Sequence, residues 1–192
     1  MKMKKILGVL KWFCTLLVVS AGINFFERIY KLIYYAFYGG SKTEVFKLSI
    51  PADWNDGYYY FLSFVGLVLM GCLIYLIIEF RKVIFNFSKE NVFTKENCER
   101  LRRVGKGLVI YGGVILVFTI VLSLITRSQP DLSSISDPAV KYGYSIGYTF
   151  GFIIGTAISK VLPVFVVALF VQFISFIVVK GNLLQEENNL TI

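Results

Sequence analysis

The sequence has no histidine and only three cysteines among its 192 residues. Without histidine there can be no His-based acid–base pair, no Ser-His-Asp triad and no histidine-ligated metal site. Cys14, Cys72 and Cys98 lie far apart in the chain, so they match neither a metal-ligand spacing nor a disulfide framework. No carboxylate pair or activated nucleophile stands out in the sequence. We therefore predict a protein that is not an enzyme and that needs no cofactor.

Charge is also scarce, since charged residues make up only 17% of the chain whereas hydrophobic residues make up 56%. The mean hydropathy is +0.69, and a soluble domain of this size rarely has so little charge. Apolar runs close to the roughly 20 residues needed to cross a bilayer recur along the chain. The composition therefore predicts an all-α, polytopic membrane protein that forms a single membrane domain surrounded by membrane lipid.

Four apolar segments are predicted to be transmembrane helices, at about residues 6–26, 58–78, 108–125 and 161–179. For the first segment, a signal peptide cleaved near Val19-Ser20-Ala21 is the competing interpretation. If the first segment is a span, its helix can continue to Tyr38, where Gly39-Gly40 would end it.

The basic residues predict the orientation in the membrane. Most of the 20 lysines and arginines lie before residue 12, in the loop 79–107, or next to the C-terminal tail. Because basic residues collect in cytoplasmic loops, we place both termini and the basic loop 79–107 in the cytoplasm, and loops 27–57 and 126–160 outside. The same argument accounts for the net charge of +8, so we expect no direct contact with nucleic acid.

The last apolar segment is predicted to be part of one long helix from Pro138 to Lys180, kinked near Pro163. No turn separates residues 142–158 from the span at 161–179, which argues against a hairpin. Ser136 or Asp137 would cap the start of this helix, with Pro138 at its first position. The alternative is that residues 142–158 form a fifth span or a re-entrant segment.

Four glycines in this helix recur every fourth residue and so form one stripe along it. They are Gly143, Gly147, Gly151 and Gly155. Such a stripe lets another backbone approach closely, which is a known means of helix association in lipid. The contact predicted from it is packing against the chain's own helices, and homo-oligomerisation is the alternative.

The most charged stretch, residues 93–105, is predicted to begin a helix that enters the membrane. Thr94 can cap the first turn. Glu96 with Arg100, and Glu99 with Arg103, have the i to i+4 spacing of helix ion pairs, with the acid first.

Two parts of the chain carry a family resemblance. One is Phe93-Thr94-x-Glu96-Asn97-x-x-Arg100-Leu101-Arg102-x-x-Gly105, and the other is the tail 180–192, which contains Leu184-Gln185-Glu186-Glu187 and ends in Leu190-Thr191-Ile192. Both are similar to a bacterial membrane family called domain of unknown function 2975. The resemblance implies four spans, a basic loop after the second, and no established activity. It also implies a partner, because members are often encoded beside a small Cro/CI-type helix-turn-helix regulator.

We therefore expect a non-enzymatic protein of the bacterial cytoplasmic membrane that senses a signal or docks such a regulator. The alternative is a small transporter, channel or immunity-type protein, although the spans offer few polar groups beyond Asn24 and Gln172. The candidate docking residues are Thr94, Glu96, Asn97, Arg100, Arg102, Arg103, Glu186 and Glu187.

Overall fold

A computed structural model describes residues 2–42, 44–45, 50, 54–89, 92–126 and 137–190. Within these residues the chain forms five α-helices: α1 Lys2–Tyr38, α2 Asp56–Ser88, α3 Lys95–Thr126, α4 Pro138–Lys160 and α5 Leu162–Leu190. Four of them, α1, α2, α3 and α5, are long and apolar enough to cross a membrane. The predicted all-α class with four membrane-spanning helices is confirmed.

Local signals explain where several helices begin and end. Helix α1 continues to Tyr38 as predicted and stops at Gly39 and Gly40, whose φ angles of 69° and 113° favour glycine. Asn55 caps α2 by accepting a hydrogen bond from the Gly57 N–H at 2.7 Å. Helix α4 starts behind Asp137, whose Oδ1 accepts from the Ala139 N–H at 2.8 Å. The alternative cap, Ser136, lies outside the described residues.

The last part of the chain differs from the single kinked helix that we predicted. The structure has two helices here, α4 and α5, and Val161 between them forms a turn. Pro163 lies in the first turn of α5, where its missing N–H leaves no unsatisfied donor. The proline thus marks the start of a new helix, with the break two residues before it.

The described helices pack in the order α1 against α2, α2 against α3, and α3 against α5. The main apolar core lies among α2, α3 and α5 and includes Leu76, Leu101 and Val171. Two glycines bring these helices close together. A Cβ atom on Gly105 would lie 2.7 Å from Gln172 Cγ of α5, and one on Gly107 would lie 2.5 Å from Leu76 Cδ2 of α2.

The glycine stripe of α4 does not make the intramolecular contact that we predicted. Its four glycines are exposed, and a Cβ atom added to any of them would meet nothing within 4 Å. The close approaches occur instead at Gly105, Gly107 and Gly181, which have no regular spacing. Contact between the stripe and a second copy of the chain stays a prediction.

Candidate functional site

The two stretches that carry the family resemblance meet in space. Phe93, in the connection between α2 and α3, packs its ring against Gly181 of α5, and a Cβ atom on Gly181 would overlap that ring. Residues 88 positions apart in the chain are therefore in direct contact. Glycine at 181 is what allows this close approach, because any larger residue would have to displace the ring.

An open cleft of about 570 Å³ lies beside this contact. Val92, Phe93 and Thr94 form one wall, and α5 forms the other with Gly181, Leu184, Gln185 and Asn188. The apolar surface in it is accessible, since Phe93 is 42% exposed and Leu184 is 66% exposed. We call this feature the α3–α5 cleft, because it lies between the residues that lead into α3 and the C-terminal part of α5. An exposed apolar surface with a polar rim is typical of a site where another protein docks.

Thr94 and Asn97 hold the α2–α3 connection in place. Thr94 Oγ1 accepts a hydrogen bond from the Asn97 N–H at 3.3 Å, which confirms the predicted cap. The Asn97 side chain is fully buried, donates to the Val92 carbonyl at 3.2 Å and accepts from Asn86 Nδ2 of α2 at 2.8 Å. These bonds fix the wall of the cleft, so in this structure Asn97 positions the site and is not available on its surface.

Arg100 is held by two carboxylates. Its Nη2 lies 2.7 Å from Glu96 Oε1, so the predicted i to i+4 pair is formed. Its Nη1 lies 2.6 Å from Glu79 Oε2 of α2, and the Glu79 side chain is only 4% exposed. Lys82 binds the other oxygen of Glu79 at 2.7 Å. Because the buried carboxylate is paired on both oxygens, it joins α2 to α3 at the level of the cleft.

The remaining predicted residues are more accessible. Arg102 is exposed, and Arg103 is more than half exposed with its guanidinium 3.9 Å from Glu79 Oε2. The second predicted helix pair, Glu99 with Arg103, is not formed among the described residues. On α5, Glu186 and Glu187 are exposed, and Glu186 accepts from Asn182 Nδ2 at 2.8 Å.

Glu79, Phe93 and Gly181 are the site residues that sequence reasoning missed. Glu79 is the first acidic residue after an apolar run of about 20 residues, which is a signal for a buried charge that needs a partner. Phe93 and Gly181 both lie in the stretches that resemble the family, but their mutual contact leaves no periodic trace in the sequence. Among the described residues, no group of three or more Cys, Asp or Glu side chains could hold a metal ion.

Comparison with known proteins gives one match. The model of a protein family of unknown function, DUF2975, matches residues 49–192. That range starts before α2 and includes the whole α3–α5 cleft and the residues around Glu79. No curated protein and no solved structure matches the chain.

Proposed function

Since the chain belongs to the DUF2975 family of unknown function, we propose that it is a non-enzymatic membrane protein that docks a small soluble protein in its α3–α5 cleft. The observation that carries this proposal is that the two stretches of the family resemblance come together at Phe93 and Gly181 and border one cleft. The partner that we propose is a Cro/CI-type helix-turn-helix regulator of a bacterial cell, which the family resemblance implies. Docking at the membrane would hold the regulator away from its DNA.

The charges around the cleft support a protein partner. Glu186 and Glu187 lie on α5 beside the cleft-lining residues Leu184 and Gln185. A DNA-binding protein carries a basic surface, and that surface is complementary to these two carboxylates. Leu184 in the cleft would supply the apolar contact at the centre of the interface. The proposal requires the cleft to face the cytoplasm, as the predicted orientation places it.

The transporter alternative has less support. The two polar residues of the spans named in the sequence analysis both have contacts within the chain. Asn24 Nδ2 donates to the Ser20 carbonyl of its own helix at 2.8 Å, and Cγ of Gln172 packs against Gly105. A transport path is usually lined by ionisable or polar groups that are free to bind a substrate.

The test is capture of the partner with matched variants of the full-length protein. The tagged chain is extracted in a mild detergent, and proteins that co-purify are identified by mass spectrometry. We expect a helix-turn-helix protein, and we expect Leu184→Ala to weaken its binding by about tenfold. Leu183→Ala is the control, because Leu183 is also exposed on α5 but does not line the cleft.

A second pair of variants tests the charges. Glu186→Gln with Glu187→Gln should weaken capture further and make it less sensitive to salt. Glu27→Gln with Glu44→Gln removes the same charge from the opposite side of the protein and should have no effect. If no regulator co-purifies, or if Leu183→Ala and Leu184→Ala reduce capture equally, the docking proposal is wrong.

A further inference from the structure

A second feature, away from the α3–α5 cleft, is an apolar crevice of about 260 Å³ among α1, α2, α3 and α5. The residues that line it on α1 and α2 include Leu10, Cys14, Leu17, Leu73 and Ile77. Its lining residues are entirely apolar apart from the Cys14 thiol. Because it lies among helices that are long enough to cross the membrane, hydrocarbon rather than water is the natural occupant.

Three basic residues lie at the end of this crevice where α1 begins and α2 ends. Lys11 is next to the lining residue Leu10, and Arg81 is next to the lining residue Phe80, so both are level with this end of the crevice. Lys89 directly follows the last residue of α2, eight positions after Arg81.

Lys11 and Lys89 converge on a single aromatic ring. The Lys11 ammonium lies 4.5 Å from the centroid of Phe85, and the Lys89 ammonium lies 4.3 Å from it. Phe85 is one turn after Arg81 and one turn before Lys89. An aromatic ring attracts a cation over its face, but it carries no charge that would neutralise the two ammonium groups.

None of these three basic side chains forms an ion pair within the part of the chain that the structure describes. Arg81 Nε is moreover buried without a hydrogen-bond partner there. This contrasts with Lys82 and Arg100 nearby, which both pair with Glu79. A buried guanidinium nitrogen without a partner is costly, and an anion that bound there would remove the cost.

We propose that Lys11, Arg81 and Lys89 bind the phosphate group of an anionic phospholipid, one acyl chain of which occupies the apolar crevice. The crevice selects a lipid over a free phosphate ion, because only a lipid supplies hydrocarbon next to the phosphate. Basic pockets between transmembrane helices are suited to anionic headgroups. The site shares no residue with the α3–α5 cleft, so a test of this proposal does not depend on whether the docking proposal is correct.

The test uses the full-length protein, purified in neutral detergent, with lipid adducts measured by native mass spectrometry. Dioleoyl phosphatidylglycerol should be retained in preference to dioleoyl phosphatidylcholine at the same mole fraction. Combined substitution of Lys11, Arg81 and Lys89 by Gln should lower the affinity for phosphatidylglycerol by at least about tenfold. The charge-matched control substitutes the exposed residues Lys5, Lys95 and Lys106 by Gln and should retain the preference.

Further variants keep the proposal testable if the triple substitution fails to fold. Lys89→Gln changes one exposed side chain and should still weaken phosphatidylglycerol binding. Leu17→Trp would fill the crevice and should reduce adducts, whereas Val19→Trp adds the same bulk at an exposed position outside the crevice lining and should not.

Three results would overturn the proposal. Equal retention of both lipids by the unmodified protein would show that the headgroup is not recognised. An equal loss in the two triple variants would mean that only total charge matters. Displacement of phosphatidylglycerol by inorganic phosphate, with Leu17→Trp binding normally, would show a site for a free anion instead of a lipid.

Discussion

Glu79 on α2 and Arg100 on α3 form an ion pair at 2.6 Å, with the carboxylate almost completely buried. The contact links the end of one apolar helix to the start of the next. Lys82 and Arg103 surround the same carboxylate, at 2.7 Å and 3.9 Å. The positive charges in this region therefore have a structural role in addition to any effect on membrane orientation.

Replacement of this carboxylate should destabilise the protein. Glu79→Gln leaves Arg100 without its buried counter-charge, and we expect a loss of about 2 kcal/mol in the free energy of unfolding. We expect a smaller loss of stability than for most buried ion pairs, because Arg100 keeps its bond to Glu96 and its side chain is 23% exposed. Unfolding by SDS in mixed micelles measures the change.

The control for that experiment is Glu27→Gln. Glu27 pairs with Lys31 within α1, and both side chains are about half exposed, so its loss should have little effect. If the two substitutions lowered the free energy of unfolding equally, the burial of Glu79 would contribute nothing to stability. Substituting Arg100 by Gln as well should recover part of the stability lost in Glu79→Gln.

The contact between Phe93 and Gly181 predicts a second effect. Gly181→Leu places a side chain where the Phe93 ring lies, and should cost about 1–3 kcal/mol through overpacking. Gly113→Leu is the matched control, since a Cβ at Gly113 meets nothing within 4 Å and the change in helix propensity is the same. Phe93→Ala in the Gly181→Leu background should restore stability, and a purely additive double variant would argue against the contact.

Local features of this fold could be predicted from the sequence, whereas long-range contacts could not. The end of α1 at Gly39, the Thr94 cap and the Glu96–Arg100 pair all follow from residues within a few positions of each other. The Glu79–Arg100 and Phe93–Gly181 contacts join different helices, and neither leaves a periodic signal.

The glycines show the same limit. A regular stripe in α4 predicted close packing within the chain, but the close approaches occur at Gly105 and Gly107, which face particular side chains of α5 and α2. Spacing shows which residues share a helix face, but it does not show which neighbour covers that face. The break at Val161 could not be predicted for a similar reason, because Pro163 is compatible both with a kink in one helix and with the start of another.

The predicted orientation can be tested by cysteine labelling. In a protein whose three native cysteines have been replaced, Ser41→Cys should react with a membrane-impermeant maleimide in intact cells, because it follows α1 on the predicted outer side. Glu99→Cys, at the start of α3, should react only after the cells are permeabilised. Labelling in the opposite pattern would reverse the orientation and would remove the cytoplasmic cleft that the docking proposal requires.

The glycine stripe of α4 gives the last prediction. Because its four glycines face open space within one chain, larger side chains there should not lower the stability of the monomer. If the stripe is instead a contact between copies, Gly147→Leu with Gly151→Leu would keep the two backbones apart and weaken association. Fluorescence energy transfer between labelled copies in liposomes measures association, and thermal unfolding of the monomer in detergent measures stability.

Tyr142→Trp with Ile146→Phe is the control for the stripe, because these exposed residues lie on the same helix but on a different face. Energy transfer should fall in the glycine variant and persist in the control, while monomer stability stays the same in both. Unchanged energy transfer in the glycine variant would mean that the stripe only faces lipid. A loss of monomer stability would mean that the stripe packs against the chain's own helices in the membrane, as the spacing of the glycines first indicated.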